Sequence, residues 1–280
     1  MKWKIITDSS SDIHELKDIG SQTNFQSIPF VITIDDQTII DDNVDIDSFV
    51  DDMEASKFAS TTACPSPQAF YEAFTGAENI ICFTISSNLS GSYNSACVAR
   101  DMAIKDQPDL NLFIMDTRSA STEIKLLIEK TNQLINEGLD FEAVKEELLA
   151  YHQHTRVIYV LKSTDNLVKN GRMNKVVSMM IGALNIRLIG NRSQEGVIQL
   201  AHKARGRSKA LKMSLQTMEE DGYKGGKVEI AHCLAEDEAE KLANTIHDKY
   251  PSAEIIIQET RALCSYYAQR GGFIVGFEIN

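Results

Sequence analysis

Residues Asn79 to Ala96, NIICFTISSNLSGSYNSA, constrain the fold most tightly. The stretch opens with Ile80-Ile81-Cys82-Phe83, an apolar run of buried-strand length and β-rich composition. It passes through the hydroxyl-rich turn Ser86-Ser87-Asn88-Leu89-Ser90-Gly91-Ser92. Beyond Gly91 a helical pattern starts, with Tyr93, Ala96, Cys97 and Ile104 on one face. A strand, a tight turn and a helix N-terminus form the unit from which parallel α/β sheets are built. The helix start presents unpaired N–H groups and the positive end of its dipole, which suits a phosphate or a carboxylate. Ser90 or Ser92 acting simply as a helix cap is the plainer reading.

The same alternation extends on both sides. Lys4 to Thr7 reads as a first strand closed by Asp8-Ser9-Ser10-Ser11-Asp12, a polar turn that is either a site contribution or an N-cap. Ile28 to Ile34 and Thr38 to Ile40 read as strands, and the aspartate pairs 35–36 and 41–42 that flank the latter as solvated turns. Ile46 to Ser56 has helical spacing, and Ser66 caps a helix over Gln68 to Phe74 with Pro67 in its first turn. Leu110 to Met115 is a strand, followed by helices over Thr122 to Glu137 and Phe141 to His154. The order changes near residue 155. A strand at Arg156 to Leu161 precedes a short helix ended by Gly171 and an apolar helix, Asn174 to Ala183, containing Val176, Val177, Met179, Met180 and Ile181. Later strands fall near 184–189, 197–200, 228–231, 255–257 and 273–277, with helices centred on Leu215, Leu242 and Cys264. The expected architecture is α/β: an N-terminal domain (1–155) with a mainly parallel sheet and helices on both faces, and a smaller α/β C-terminal domain (156–280).

Charge and motifs narrow the function. A formal net charge of -12 over 280 residues argues against a general nucleic-acid binder and against a protein held to anionic lipid. No apolar run approaches the ~18 residues of a membrane span, and the N-terminus lacks a signal-peptide pattern, so a cytoplasmic protein is expected. The five cysteines form no C-x-x-C pair. Cys82, Cys97 and Cys233 sit in apolar patterns as small buried side chains. His152 and His154 read as surface residues. The dinucleotide, P-loop, zinc-protease and serine-hydrolase motifs are absent. Hydroxyl-rich turns without a catalytic base fit anion binding better than turnover. The densest basic segment is Lys203-Ala204-Arg205-Gly206-Arg207-Ser208-Lys209, either a solvated face or a docking surface for an acidic or phosphate-bearing partner.

Taken together, Thr7 to Asp12, Thr62-Ala63-Cys64-Pro65-Ser66-Pro67, Leu89 to Ala96 and Lys203 to Arg207 resemble, in order and spacing over essentially the whole chain, the DegV family of bacterial fatty-acid-binding proteins. The resemblance implies one long-chain fatty acid as ligand, with its tail in an apolar tunnel and its carboxylate at the domain interface. It implies no enzymatic activity, no metal and no cofactor besides that ligand, and in some members presentation of the acid to a fatty-acid kinase. By the matched motifs, Thr62 and Ser90 bind the carboxylate, with Gly91 and Ser92 beside it. Arg172, in Asn170-Gly171-Arg172, is a candidate for the polar end. Lys203, Arg205 and Arg207 would suit the kinase.

Departures accompany the match. Ala63-Cys64 replaces the usual Ser-Gln. Tyr266 or Tyr267 stands where the family often carries a histidine, with Tyr267 favoured by alignment on Gly271. In this light the helix at 176–181 becomes a tunnel-wall candidate. The alternatives are an enzyme acting on a phosphorylated small molecule through the Ser90 turn and Asp8, and a purely structural or regulatory protein.

Overall fold

The computed structural model describes residues 2–58, 60–173 and 185–279, and among these the strands form three sheets. The first is wholly parallel, with β1 (Trp3–Asp8), β2 (Thr23–Ile28), β6 (Asn79–Thr84) and β7 (Asn111–Asp116) in the order β2-β1-β6-β7. Its strands are apolar on both faces because both faces are covered. Ile5, Ile81 and Phe83 pack against Ile124, Leu127 and Val144 of α4 (Thr122–Asn136) and α5 (Phe141–Gln153). Ile6, Ile80 and Cys82, displaced by one residue, pack against Phe70, Ala96 and Ala99 of α2 (Pro67–Ala73) and α3 (Ser92–Asp106).

The second sheet is small and antiparallel: β3 (Val31–Ile34), β4 (Gln37–Ile40) and β5 (Thr61–Ala63), in the order β4-β3-β5. The third holds β8 (Thr155–Leu161), β9 (Ile186–Arg192), β10 (Ile198–Arg205), β11 (Val228–His232), β12 (Ile255–Glu259) and β13 (Phe273–Glu278) in the order β10-β9-β8-β13-β11-β12. Only its β11–β12 pair is parallel. One face carries Ile158, Val160 and Val275 against α7 (Arg207–Glu220) and α8 (Glu236–Lys249). The opposite face carries Val157, Tyr159, Leu161 and Ile274. These meet Phe30 and Ile32, Phe49 and Val50 of α1 (Ile46–Ala55), Leu167 of α6 (Asp165–Lys169), and α9 (Ala262–Ala268) in a single apolar cluster.

Several expectations change. The single strand read over Ile28 to Ile34 is two strands in different sheets, since Pro29 cannot donate to a ladder and the chain turns there. Thr61–Ala63, which the sequence does not mark as a strand, forms β5 just before Pro65. Ile104 is exposed, and the inner face of α3 is Ala96, Ala99 and Ala103. Cys97 is half-buried, whereas Cys82 and Cys233 are fully buried. Asp41 is not solvated: it is buried and accepts from Ala262 N (2.9 Å) and Leu263 N (3.3 Å) at the start of α9. His152 is buried beside Glu123, and burial lowers its pKa. The apolar helix expected over 174–183 lies outside the described residues.

Candidate functional site

The turn after β1 is buried, so its polar atoms must find partners within the protein. Asp8 Oδ1 accepts from Ser10 N (3.2 Å) and from the Ser10 hydroxyl, and its Oδ2 from Ile85 N (3.0 Å) and Ser92 Oγ (2.6 Å). Burial pushes its pKa up despite these bonds. Asp12 accepts from the Ser121 hydroxyl and from Arg261 N (2.7 Å). Burial outweighs those donors and raises its carboxyl to about 7. Arg261 donates to Ile13 O (2.8 Å), Ser27 Oγ (2.9 Å) and Asp41 O. This network fastens the carboxyl end of β1 to α9. Asp8 is fully buried, and its carboxylate accepts from four donors of the protein itself.

A narrow cavity opens beside this network, within the apolar cluster between the second and third sheets. It holds about 630 Å³ of atom-free space, part of it open to solvent. Its wall is apolar and buried, including Phe30, Ile85, Ala120, Tyr159, Leu161, Leu167, Leu263 and Ile274. Thr62, Ser90, Arg172 and Tyr267 also line it, and all four are half-buried. Thr62, Tyr267 and Arg172 form one connected group that reaches Leu89, the chain neighbour of Ser90. Thr62 Oγ1 and Tyr267 Oη share a hydrogen bond (2.7 Å). The Arg172 guanidinium lies 6.0 Å from the Tyr267 ring centroid and donates from Nε to Leu89 O (3.1 Å) and from Nη1 to Asn170 O (2.5 Å). Ser90, next to Leu89, accepts from Ser92 N through its own hydroxyl (3.3 Å). Burial raises the Tyr267 pKa, partly offset by Thr62 and by the Arg172 charge, so the phenol keeps its proton as a donor.

The residues that position this group follow from the local sequence. Thr62 is the middle residue of β5, paired with Ile32. Tyr267 is near the end of α9, whose Tyr266 is held by Ser60 Oγ (2.7 Å) and Asn170 Nδ2 (2.9 Å) and packs edge-on against Tyr267 at 4.9 Å between centroids. Gly171, at φ +74°, turns the chain after α6 so that Arg172 N reaches Leu167 O (2.7 Å). Gly91 and Ser92 are not among the lining residues: Ser92 spends its hydroxyl on Asp8, and Gly91 abuts Cys64, whose Sγ would lie 3.4 Å from an added Cβ.

Sequence reasoning missed Tyr159, Ile198 and Leu263 as lining residues, because only strand pairing and the placement of α9 bring them to the cavity. It also missed the latch at the β9–β10 turn. There Ser86 Oγ donates to Gly196 O (2.8 Å) and Asn88 Nδ2 to Glu195 O (2.7 Å), which anchors the Ser86–Ser90 turn.

Comparison with known proteins matches residues 2–279 to the family model described as "Uncharacterised protein, DegV family". A DegV domain-containing protein of Streptococcus pneumoniae is 42% identical over 281 residues, covering all of both chains. Among solved structures, the Streptococcus pneumoniae Fatty Acid Kinase (Fak) B3 protein loaded with linoleic acid superposes with a TM-score of 0.98 at 42% identity, covering 100% of each chain. A DegV family protein from Eubacterium eligens loaded with heptadecanoic acid gives 0.95 at 35% identity, covering 99% of this chain and 100% of that one.

Proposed function

Because the chain belongs to the DegV family, we propose that it carries a single long-chain fatty acid and presents it to a fatty-acid kinase. One observation carries the reading: a narrow cavity with buried apolar walls shares its lining with two hydroxyl side chains, a phenol and an arginine, of which Thr62 and Arg172 each contact Tyr267. The tail supplies affinity at roughly 0.8 kcal/mol per buried CH₂. The carboxylate, costly to bury unpaired, would accept from Thr62 and Ser90, with Tyr267 as a further donor and Arg172 supplying positive charge. Gly91 and Ser92 act indirectly in this reading, shaping the turn that holds Ser90. The relatives solved with linoleic and heptadecanoic acids support the ligand class.

The protein would perform no chemistry itself and would need no cofactor. Its partner kinase would phosphorylate the carboxylate. Lys203 and Arg205 are exposed on one side of β10, and Arg207 follows at the start of α7, where its Nε meets Glu238 (2.9 Å). We assign these cations to kinase docking, and residues 1–155 and 156–280 to the two halves between which the ligand lies. A cytoplasmic location accords with that partnership; among the described residues no helix is long and apolar enough to cross a membrane.

The test is solvent extraction of the purified protein followed by mass spectrometry of the lipid. Recovery of about one fatty acid per chain is expected, and an empty protein that also fails to take up added oleate or palmitate contradicts the reading.

A further inference from the structure

Along β8 and β13 the described lining of the cavity ends at definite residues. Along β8, Leu161 and Tyr159 line it, whereas Val157, next on the same face, is fully buried and does not. On β13, which pairs with β8, Ile274 lines it and the next residue on that face is Gly276. A Cβ at Gly276 would stand 2.6 Å from Glu123 N and 2.7 Å from the Thr122 carbonyl carbon, so the first turn of α4 already fills that place. The Tyr159 hydroxyl sits in the field of Glu123 and Arg192. Those two are joined by Arg192 Nε to Glu123 Oε2 (2.7 Å) and Nη2 to Oε1 (2.7 Å), with Thr155 Oγ1 donating to Oε1 (2.8 Å). Leu161, by contrast, ends β8 just before α6, whose Leu167 carbonyl accepts from the Arg172 backbone. Tyr159 stands two residues, about 7 Å, farther back along β8 from that connection to α6.

We propose that Tyr159 is the floor of the acyl channel and fixes the longest tail the site accepts. The inference rests on the fatty-acid reading above and deepens it. The ring blocks the path sterically. Behind it, a methyl terminus would meet a buried, mutually satisfied ion pair, and prying into such a pair is costly. Tails that end at the ring bury every methylene, and longer ones must buckle or leave carbons at the mouth.

Binding of a series of saturated straight-chain acids of increasing length tests this, using the intact protein and the variants Tyr159→Leu and Tyr159→Trp. Wild type should gain about fourfold in affinity per added methylene up to a cut-off and then lose affinity. Leucine should move the cut-off to longer acids and tryptophan to shorter ones. General loosening of the fold would instead weaken all lengths by one factor. Thermal unfolding qualifies each variant, and because the shifts are opposite in sign, either folded variant decides. A cut-off unmoved by a folded variant overturns the floor assignment and leaves the carrier reading standing. Failure of wild type to bind any length removes the carrier reading itself.

Discussion

Asp12 and Thr62 show two kinds of polar residue that look alike in sequence. Asp12 is sealed between β1 and α9, with its carboxyl raised from 3.8 to about 7 by burial. Between those values the folded protein keeps a proton that the unfolded chain has lost. The group's contribution to stability is therefore full below its unfolded value and is lost as pH rises through the folded one. Urea unfolding from about pH 5 to pH 8 should show Asp12→Asn flattening this fall relative to wild type; an unchanged slope contradicts the assignment. Asp8 and Asp41 are displaced in the same direction, also by burial. Thr62 faces the cavity and has a partner in Tyr267. Thr62→Val should weaken fatty-acid binding by roughly 10- to 100-fold, the worth of one hydrogen bond to a charged group, with little change in the melting temperature. Thr62 and Ser90, which line the cavity, were singled out in the sequence by their match to the family's motifs. Asp41 and His152 were not, because their burial is set by Arg261 and Glu123, far away in the chain.

At the level of elements, strands and helices with strong periodicity were readable, including β1, β6, α4 and the helix capped by Ser66. The short elements that make the cavity were not. β5 is three residues long, and its pairing with β3 is a tertiary fact. The seating of α4 against the third sheet depends on Gly276, which no periodicity marks. Gly276→Ala should destabilise the fold by about 1–3 kcal/mol through overpacking, seen as a lower urea midpoint. The latch at the β9–β10 turn makes a sharper case. Gly196 has φ +83°, and a Cβ there would lie 2.3 Å from Ser86 Oγ and 2.7 Å from Arg118 Cα. Gly196→Val should therefore release the turn that carries Leu89 and Ser90. The expected outcome is weaker fatty-acid binding with the same chain-length preference, measured by the same acid series.

Across the whole molecule, the second and third sheets converge on one apolar cluster and the cavity lies where they meet, while the parallel sheet packs in clusters of its own. Strand–helix alternation foretold the parallel sheet, but the mixed order of the third sheet depends on pairings such as β8 with β13, more than a hundred residues apart. The cavity's lining draws Thr62 and Ser90 from residues 1–155 and Arg172 and Tyr267 from residues 156–280, so under the proposed function both parts of the chain are needed to hold a head group. A ligand bound only to the folded protein stabilises it by mass action. Delipidated protein should melt at a lower temperature than protein refilled with a long-chain acid, and a short-chain acid should restore little. The most direct measurement is native mass spectrometry of the wild type and of the Thr62→Val, Ser90→Ala double variant, each incubated with the same long-chain fatty acid. The account predicts one acid per wild-type chain and a largely empty double variant that remains folded. Equal occupancy of the two proteins, or none in the wild type, would contradict it.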